Sequence, residues 1–268
     1  MPIYLGTGGY SDTDLVGALY PVGTKKTEFL TEYAKHYPAV EINSSFYAPI
    51  GRKAYEGMLN KSENNLKFAI KLHQDFSHNL TATPQTAIAF MDAIRPIIEA
   101  DCLASLLLQF PHGFDRTIHN RQYLAMLTSW FVGLPLAIEF RHQSWHTPQV
   151  YASFTKQNLS WCSVDYPNVK GLPPSGLLFT NRIGYLRMHG KNVNWWDAHS
   201  ASERHDYRYS EAEMQAWAMT IANQQANFDT LYVFFENTVK AHAVYNIAML
   251  QHALLEQNLA VIITKTTE

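Results

Sequence analysis

The 268-residue chain has only two cysteines, Cys102 and Cys162, far apart and outside any metal-ligand spacing. A disulfide framework and a thiolate metal site are both excluded on that count, and the two thiols read as core residues. No apolar stretch approaches the roughly 20 residues that cross a bilayer, so no membrane partner is expected. Met1-Pro2 runs into an apolar segment without a basic leader, which makes a cytoplasmic location the expectation. Excess charge is also lacking: the formal net charge is -2, so a broadly basic surface is absent and nucleic acid is not favoured as a partner. The glycines of Gly6-Thr7-Gly8-Gly9-Tyr10 lack the GxGxxG spacing, and no HxH or HExxH is present. No cofactor is predicted on these grounds, although a divalent metal held by scattered carboxylates stays open.

Apolar side chains make up 47% of the sequence, enough for a large core in one domain spanning residues 1–268. Eight runs rich in Val, Ile, Leu, Tyr and Phe fall at residues 3–8, 39–43, 66–73, 103–109, 136–141, 160–165, 184–189 and 230–236. They lack strict polar alternation, as strands covered on both faces do. Helical patterns lie between them, such as Phe29, Leu30, Tyr33, Ala34 and Tyr37. Thr83-Pro84 and Thr147-Pro148 place a capping hydroxyl before a proline at the first helical position, and Ser210 with Glu213 forms a capping box. A last helix is expected from about Lys240.

Alternating strands and helices predict a single-domain α/β fold, a (β/α)8 TIM barrel, with an open doubly wound sheet as the alternative. Two connections depart from the repeat. Residues 166–183 are rich in Pro and Gly, so a loop is expected where the sixth outer helix should stand. Residues 191–209, after the seventh strand, hold Trp195, Trp196, Arg204 and His205 and are read as a lid or a loose tip on the active face.

In four runs two polar residues end the strand two positions apart: Glu41 and Asn43, Lys71 and His73, Glu139 and Arg141, Arg187 and His189. Spacing by two puts both members on one strand face, where a buried strand would normally be apolar. A shared polar pocket at the strand ends explains all four.

Several blocks resemble the YecE-like family, a group named as a domain of unknown function. They are Gly6-Thr7-Gly8-Gly9-Tyr10-Ser11, Val40-Glu41-Ile42-Asn43-Ser44-Ser45-Phe46-Tyr47, Ile138-Glu139-Phe140-Arg141-His142-Gln143-Ser144-Trp145, Tyr185-Leu186-Arg187-Met188-His189-Gly190 and Phe234-Phe235-Glu236-Asn237. The resemblance covers nearly the whole chain and implies a TIM barrel; it brings no established reaction and no assigned catalytic residue. The chain departs from the family where Phe235-Glu236-Asn237 replaces the usual Phe-Asn-Asn, and where Leu15-Val16-Gly17 replaces a segment that usually holds tryptophan.

On the barrel reading, Glu41, Lys71, Glu139, Asp165 and His189 are the expected catalytic residues. Asn43, His78, Gln109, Arg141, Trp145, Arg187, Tyr209 and Asn237 are expected to bind substrate. Lys71, Arg141 and Arg187 suit a small anionic ligand, phosphate or carboxylate, and point to an enzyme acting by acid/base chemistry. Two other classes compete. A divalent ion could be held by Glu41, Glu139, Asp165, His189 and Glu236, or a non-catalytic barrel could stack a sugar or base on Tyr10, Tyr47, Trp145, Trp195 or Trp196. Buried ion pairing at the top of the barrel is the structural explanation of the same charges.

Overall fold

Each apolar run becomes one strand in the computed structural model, which describes residues 1–264. The strands are β1 (Ile3–Thr7), β2 (Ala39–Ile42), β3 (Lys67–Lys71), β4 (Leu103–Phe110), β5 (Leu136–Phe140), β6 (Ser160–Asp165), β7 (Ile183–Met188) and β8 (Thr230–Phe235). All pair in parallel with their sequence neighbours, and β8 closes on β1, giving a (β/α)8 TIM barrel. The helices are α1 (Phe29–His36), α2 (Ser44–Tyr47), α3 (Arg52–Lys61), α4 (Pro84–Glu99), α5 (Ile118–Trp130), α6 (Pro148–Lys156), α7 (Ala201–Arg204), α8 (Glu211–Asn223) and α9 (His242–Glu256).

Local chemistry starts the covering helices where the sequence places it. Thr83 and Thr147 cap α4 and α6 ahead of their prolines, and the Ser210–Glu213 box opens α8. The last helix starts two residues later than expected, because Lys240 and Ala241 take positive φ. Between β6 and β7 there is no helix among the described residues; the chain makes an antiparallel bridge from Val164 to Gly176 and returns.

Apolar residues divide into a shell between strands and helices and a smaller set inside the barrel. The inner set pairs small with large: Ala39, Ala69, Ala104 and Ala137 come from four consecutive strands, and Tyr185, Tyr232 and Phe234 fill the room they leave. Both thiols are buried, as expected. As β5 does with β6, β1 pairs with β2 through only two registered residue pairs. There the Tyr33 hydroxyl accepts from Thr7 N at 2.8 Å and donates to Ala39 O at 2.9 Å, so a side chain completes the ladder.

Candidate active site

Alternation along each strand sends one series of side chains into the barrel. It runs Ala39, Glu41 on β2; Ala69, Lys71 on β3; Ala137, Glu139 and then Arg141 on β5; Tyr185, Arg187 and then His189 on β7; and Tyr232, Phe234 and then Glu236 on β8. β1 contributes glycine: a Cβ on Gly8 would lie 2.4 Å from Glu236 Oε1, so only glycine lets that carboxyl lie against the strand.

Arg187 is the hub. Its Nη2 meets Glu41 Oε1 at 2.7 Å and Glu236 Oε2 at 2.8 Å, its Nε meets Glu41 Oε2 at 3.1 Å, and its Nη1 donates to Glu139 Oε2. Tyr185 donates to Glu41 at 2.6 Å, and Tyr166 donates to Glu139. Burial opposes the charge on Arg187, but the three glutamates outweigh it and hold its pKa well above the ordinary value. Burial likewise opposes ionisation of Glu139, yet Arg187, His189 and Arg141 hold its carboxyl well below the usual range. Glu236 goes the other way: burial pushes it up to about 8 against the pull of Arg187, with Glu41 and Glu139 adding repulsion. One guanidinium does not neutralise three carboxylates, and Glu236 is where the proton stays.

Above this hub opens a cavity of about 300 Å³. Four cationic side chains border it, Lys71, Arg141, Arg187 and Arg204, against the single carboxyl of Glu236. Lys71 Nζ sits 4.3 Å from the Phe46 ring centre and has no hydrogen-bond partner or ion pair among the described residues. Burial, with Arg187 and Arg141 nearby, brings Lys71 down to about 8. The Arg141 guanidinium makes one long contact to Glu139, at 3.4 Å through Nε, and is 19% exposed. Burial, with Lys71 and Arg141 nearby, brings His78 down to about 4, so it is neutral at pH 7. His205, mostly through burial, falls to about 3; its Nδ1 meets the His189 carbonyl at 2.9 Å and therefore carries the proton.

The loop after β7 supplies the upper wall. Trp195 is buried beneath it, and the Arg204 and Arg141 guanidinium groups lie 5.4 and 5.9 Å from its ring centre. Arg204 Nε donates to Trp195 O at 3.2 Å. Residues 191–209 thus form a packed cover over this side of the mouth, and Ala201, Ser202, Arg204 and His205 face the cavity.

Of the residues read from the sequence, Asn43, Lys71, His78, Gln109, Arg141 and Arg187 border the cavity. Glu41, Glu139 and His189 are gathered behind it, fully buried, and touch Arg187 instead of the opening. Four expectations are corrected by position. Asp165 is out of phase with Cys162, Val164 and Tyr166, which face inward; it accepts from Trp217 Nε1 at 3.2 Å on α8 and lies 3.8 Å from Lys191. Burial raises its pKa. Asn237 is likewise one residue past the inward Glu236 and bonds Tyr207 O and Asn246 outside the barrel. The Tyr209 hydroxyl accepts from Gly190 N at 2.8 Å, beside α9. Trp145 stacks on Phe140 and Phe114, and its Nε1 donates to Phe114 O at 2.8 Å, so its face is not open to a ligand.

His73 does not share the face of Lys71, because β3 has ended; it caps the turn at Gln74–Phe76 and pairs with Asp75 at 3.1 Å. Of the aromatics considered for stacking, Tyr47 borders the cavity, whereas Tyr10 packs near Tyr33 and Trp196 donates to Lys170 O. Of the residues considered as divalent-ion ligands, Glu41, Glu139 and Glu236 surround Arg187, and among the described residues no group of three His, Cys, Asp or Glu side chains is arranged to hold a metal ion. The site also holds Glu236, expected only as a metal ligand, and Tyr166, Arg204 and His205, which are absent from the expected catalytic and binding residues. Strand phase points to the first two; the last two are placed by a loop with no periodic signal.

A parallel (β/α)8 barrel with a polar, cation-rich cavity at the C-terminal ends of its strands defines the class of protein. Residues 4–268 match the family described as "Protein of unknown function DUF72", and the chain belongs to that family, to which the YecE-like proteins also belong. It is similar to the UPF0759 protein YunF of Bacillus subtilis, 30% identical over 261 residues, covering 91% of this chain and 92% of YunF. Two solved structures are also similar. A DUF72 family protein from Thermotoga maritima superposes with a TM-score of 0.88 at 30% identity, covering 95% of this chain and 100% of the other. One from Enterococcus faecalis gives 0.86 at 26% identity, covering 99% of each. Among the described residues, no helix is long and apolar enough to cross a membrane.

Proposed function

We propose that the chain is an enzyme of the cytoplasm that holds a small anionic metabolite at the C-terminal face of its barrel and moves a proton to or from it. The observation that carries this reading is the cavity wall: four cationic groups against one carboxyl, with the Lys71 ammonium unpaired. Arg141 and Arg204 hold the anion; guanidinium groups with free N–H donors do so by paired hydrogen bonds. Lys71 and Glu236, each brought to about 8, are the groups that exchange a proton near neutral pH. Glu41 and Glu139 act through Arg187, which they fix and partly neutralise, and are positioning residues.

The test is a screen of phosphorylated and carboxylated metabolites by calorimetry, followed by product detection by NMR after long incubation. Arg141→Ala is expected to weaken binding of any hit roughly tenfold or more. Lys71→Met is expected to lower turnover by about 10²-fold or more. Anions that bind wild type and Arg141→Ala equally would refute the site. A tightly bound hit recovered unchanged would leave a binding protein in place of an enzyme.

A further inference from the structure

Two polar atoms of residues that border the cavity are left without partners. Glu236 Oε1 and Asn43 Oδ1 are both buried and make no hydrogen bond among the described residues. Buried polar atoms are almost always paired, so an orphan pair beside an open cavity calls for a ligand. Their arrangement is fixed. Asn43 Nδ2 donates to Gly8 O at 2.9 Å and to Glu236 Oε2 at 3.4 Å, and because both partners accept, the free atom of the amide is the carbonyl oxygen. Gly8 gives up a Cβ so that the Glu236 carboxyl can occupy this place.

The cavity is also polarised by strand order. Gly8, Asn43 and Glu236 follow the ends of β1, β2 and β8, which are neighbours, whereas Arg141 follows β5 across the barrel and Lys71 ends β3 between them. Arg204 faces the cavity from the loop after β7 and shares the Trp195 ring with Arg141. One end of the space therefore takes charge and the other takes hydrogen-bonding groups. Three cations at the charged end suit a dianion better than a carboxylate, and a phosphate monoester is close to dianionic at neutral pH. At the other end hydroxyls fit, because they donate to Asn43 Oδ1, donate to Glu236 when its carboxyl is ionised and accept from it when it is protonated. The volume of about 300 Å³ limits the ligand to a short chain.

We infer that the ligand is a phosphate monoester of a short polyol or sugar, its phosphate among Arg141, Lys71 and Arg204 and its hydroxyls on Asn43 Oδ1 and Glu236 Oε1. This inference rests on the anion-binding reading of the same cavity. The test is calorimetry on the full chain with inorganic phosphate, n-hexyl phosphate, gluconate, and a panel of three- to six-carbon alditol and aldose phosphates. At least one panel member is expected to bind roughly tenfold or more tightly than n-hexyl phosphate. Asn43→Ala is expected to erase most of that margin, and the wild-type comparison stands without any variant. If phosphate and n-hexyl phosphate bind as well as every panel member, the hydroxyl end falls while the anion site survives. Gluconate binding more tightly than every phosphate ester overturns the choice of phosphate. If none of these anions binds, both readings fall together.

Discussion

Two side chains on the cavity wall, Lys71 and Glu236, are brought to about 8 from opposite directions, the amine lowered and the acid raised, in both cases chiefly by burial. Below that pH Lys71 is cationic and Glu236 neutral; above it Lys71 is neutral and Glu236 anionic. Both deprotonations remove positive charge from the wall, so they act together on an anionic ligand. A phosphate ester gains its second charge near pH 6, which strengthens binding from the other side. Affinity for a phosphate ester is therefore expected to rise through about pH 6, hold, and fall through about pH 8. For a carboxylate only the alkaline fall is expected. In Glu236→Gln one of the two deprotonations is gone, so the alkaline fall becomes shallower. Dissociation constants measured by calorimetry across this range check the point, and an affinity flat between about pH 7 and 9 would sink it.

Elements differ in how they show themselves in the sequence. The strands and most covering helices were legible because their signals are local: apolar runs, Thr-Pro starts at α4 and α6, the Ser210 box at α8. Strand phase was legible only in part. Repeated polar pairs set it correctly on β5 and β7, but β6 offers two plausible series, and barrel closure selects the one with Cys162, Val164 and Tyr166 inward, which turns Asp165 out. Asn237 was misplaced by the same one-residue shift on β8. The segment 191–209 carries no period at all, and its order comes from tertiary contact, with Trp195 buried under Arg204 and His205. That gives a prediction for the element. Trp195→Ala removes a buried indole and is expected to destabilise by about 3–5 kcal/mol, concentrated in this segment. Limited proteolysis should cut between residues 191 and 209 in the variant before the barrel unfolds. Cleavage no faster than in wild type would show that the segment does not depend on this side chain.

Across the whole molecule the barrel separates a structural charge cluster from a binding one, and the two arginines of the site belong to different sides of that division. Arg187 is buried against Glu41, Glu139 and Glu236 and only edges the cavity, whereas Arg141 has one long contact and is partly open to it. Removing one partner of a buried charge cluster leaves the others uncompensated, so Arg187→Met is expected to destabilise by about 3–5 kcal/mol at neutral pH. The sign of its pH dependence follows from Glu139, which wild type holds well below the usual range. That depressed pKa contributes stability above the unfolded value, lost as pH falls through the folded one. In Arg187→Met the contribution is absent and burial raises the carboxyls, which favours the folded state only at low pH. The stability gap between wild type and Arg187→Met is therefore widest at about pH 8 and narrows toward about pH 5. Arg141→Met loses only one long contact to Glu139, whose main partner Arg187 stays in place, and is expected to change stability by about 1 kcal/mol or less while weakening anion binding roughly tenfold or more. Urea unfolding of both variants at the two pH values, beside calorimetry, separates the roles. If Arg187→Met unfolds no more easily than Arg141→Met, the division between a load of buried charge and an open anion site is wrong.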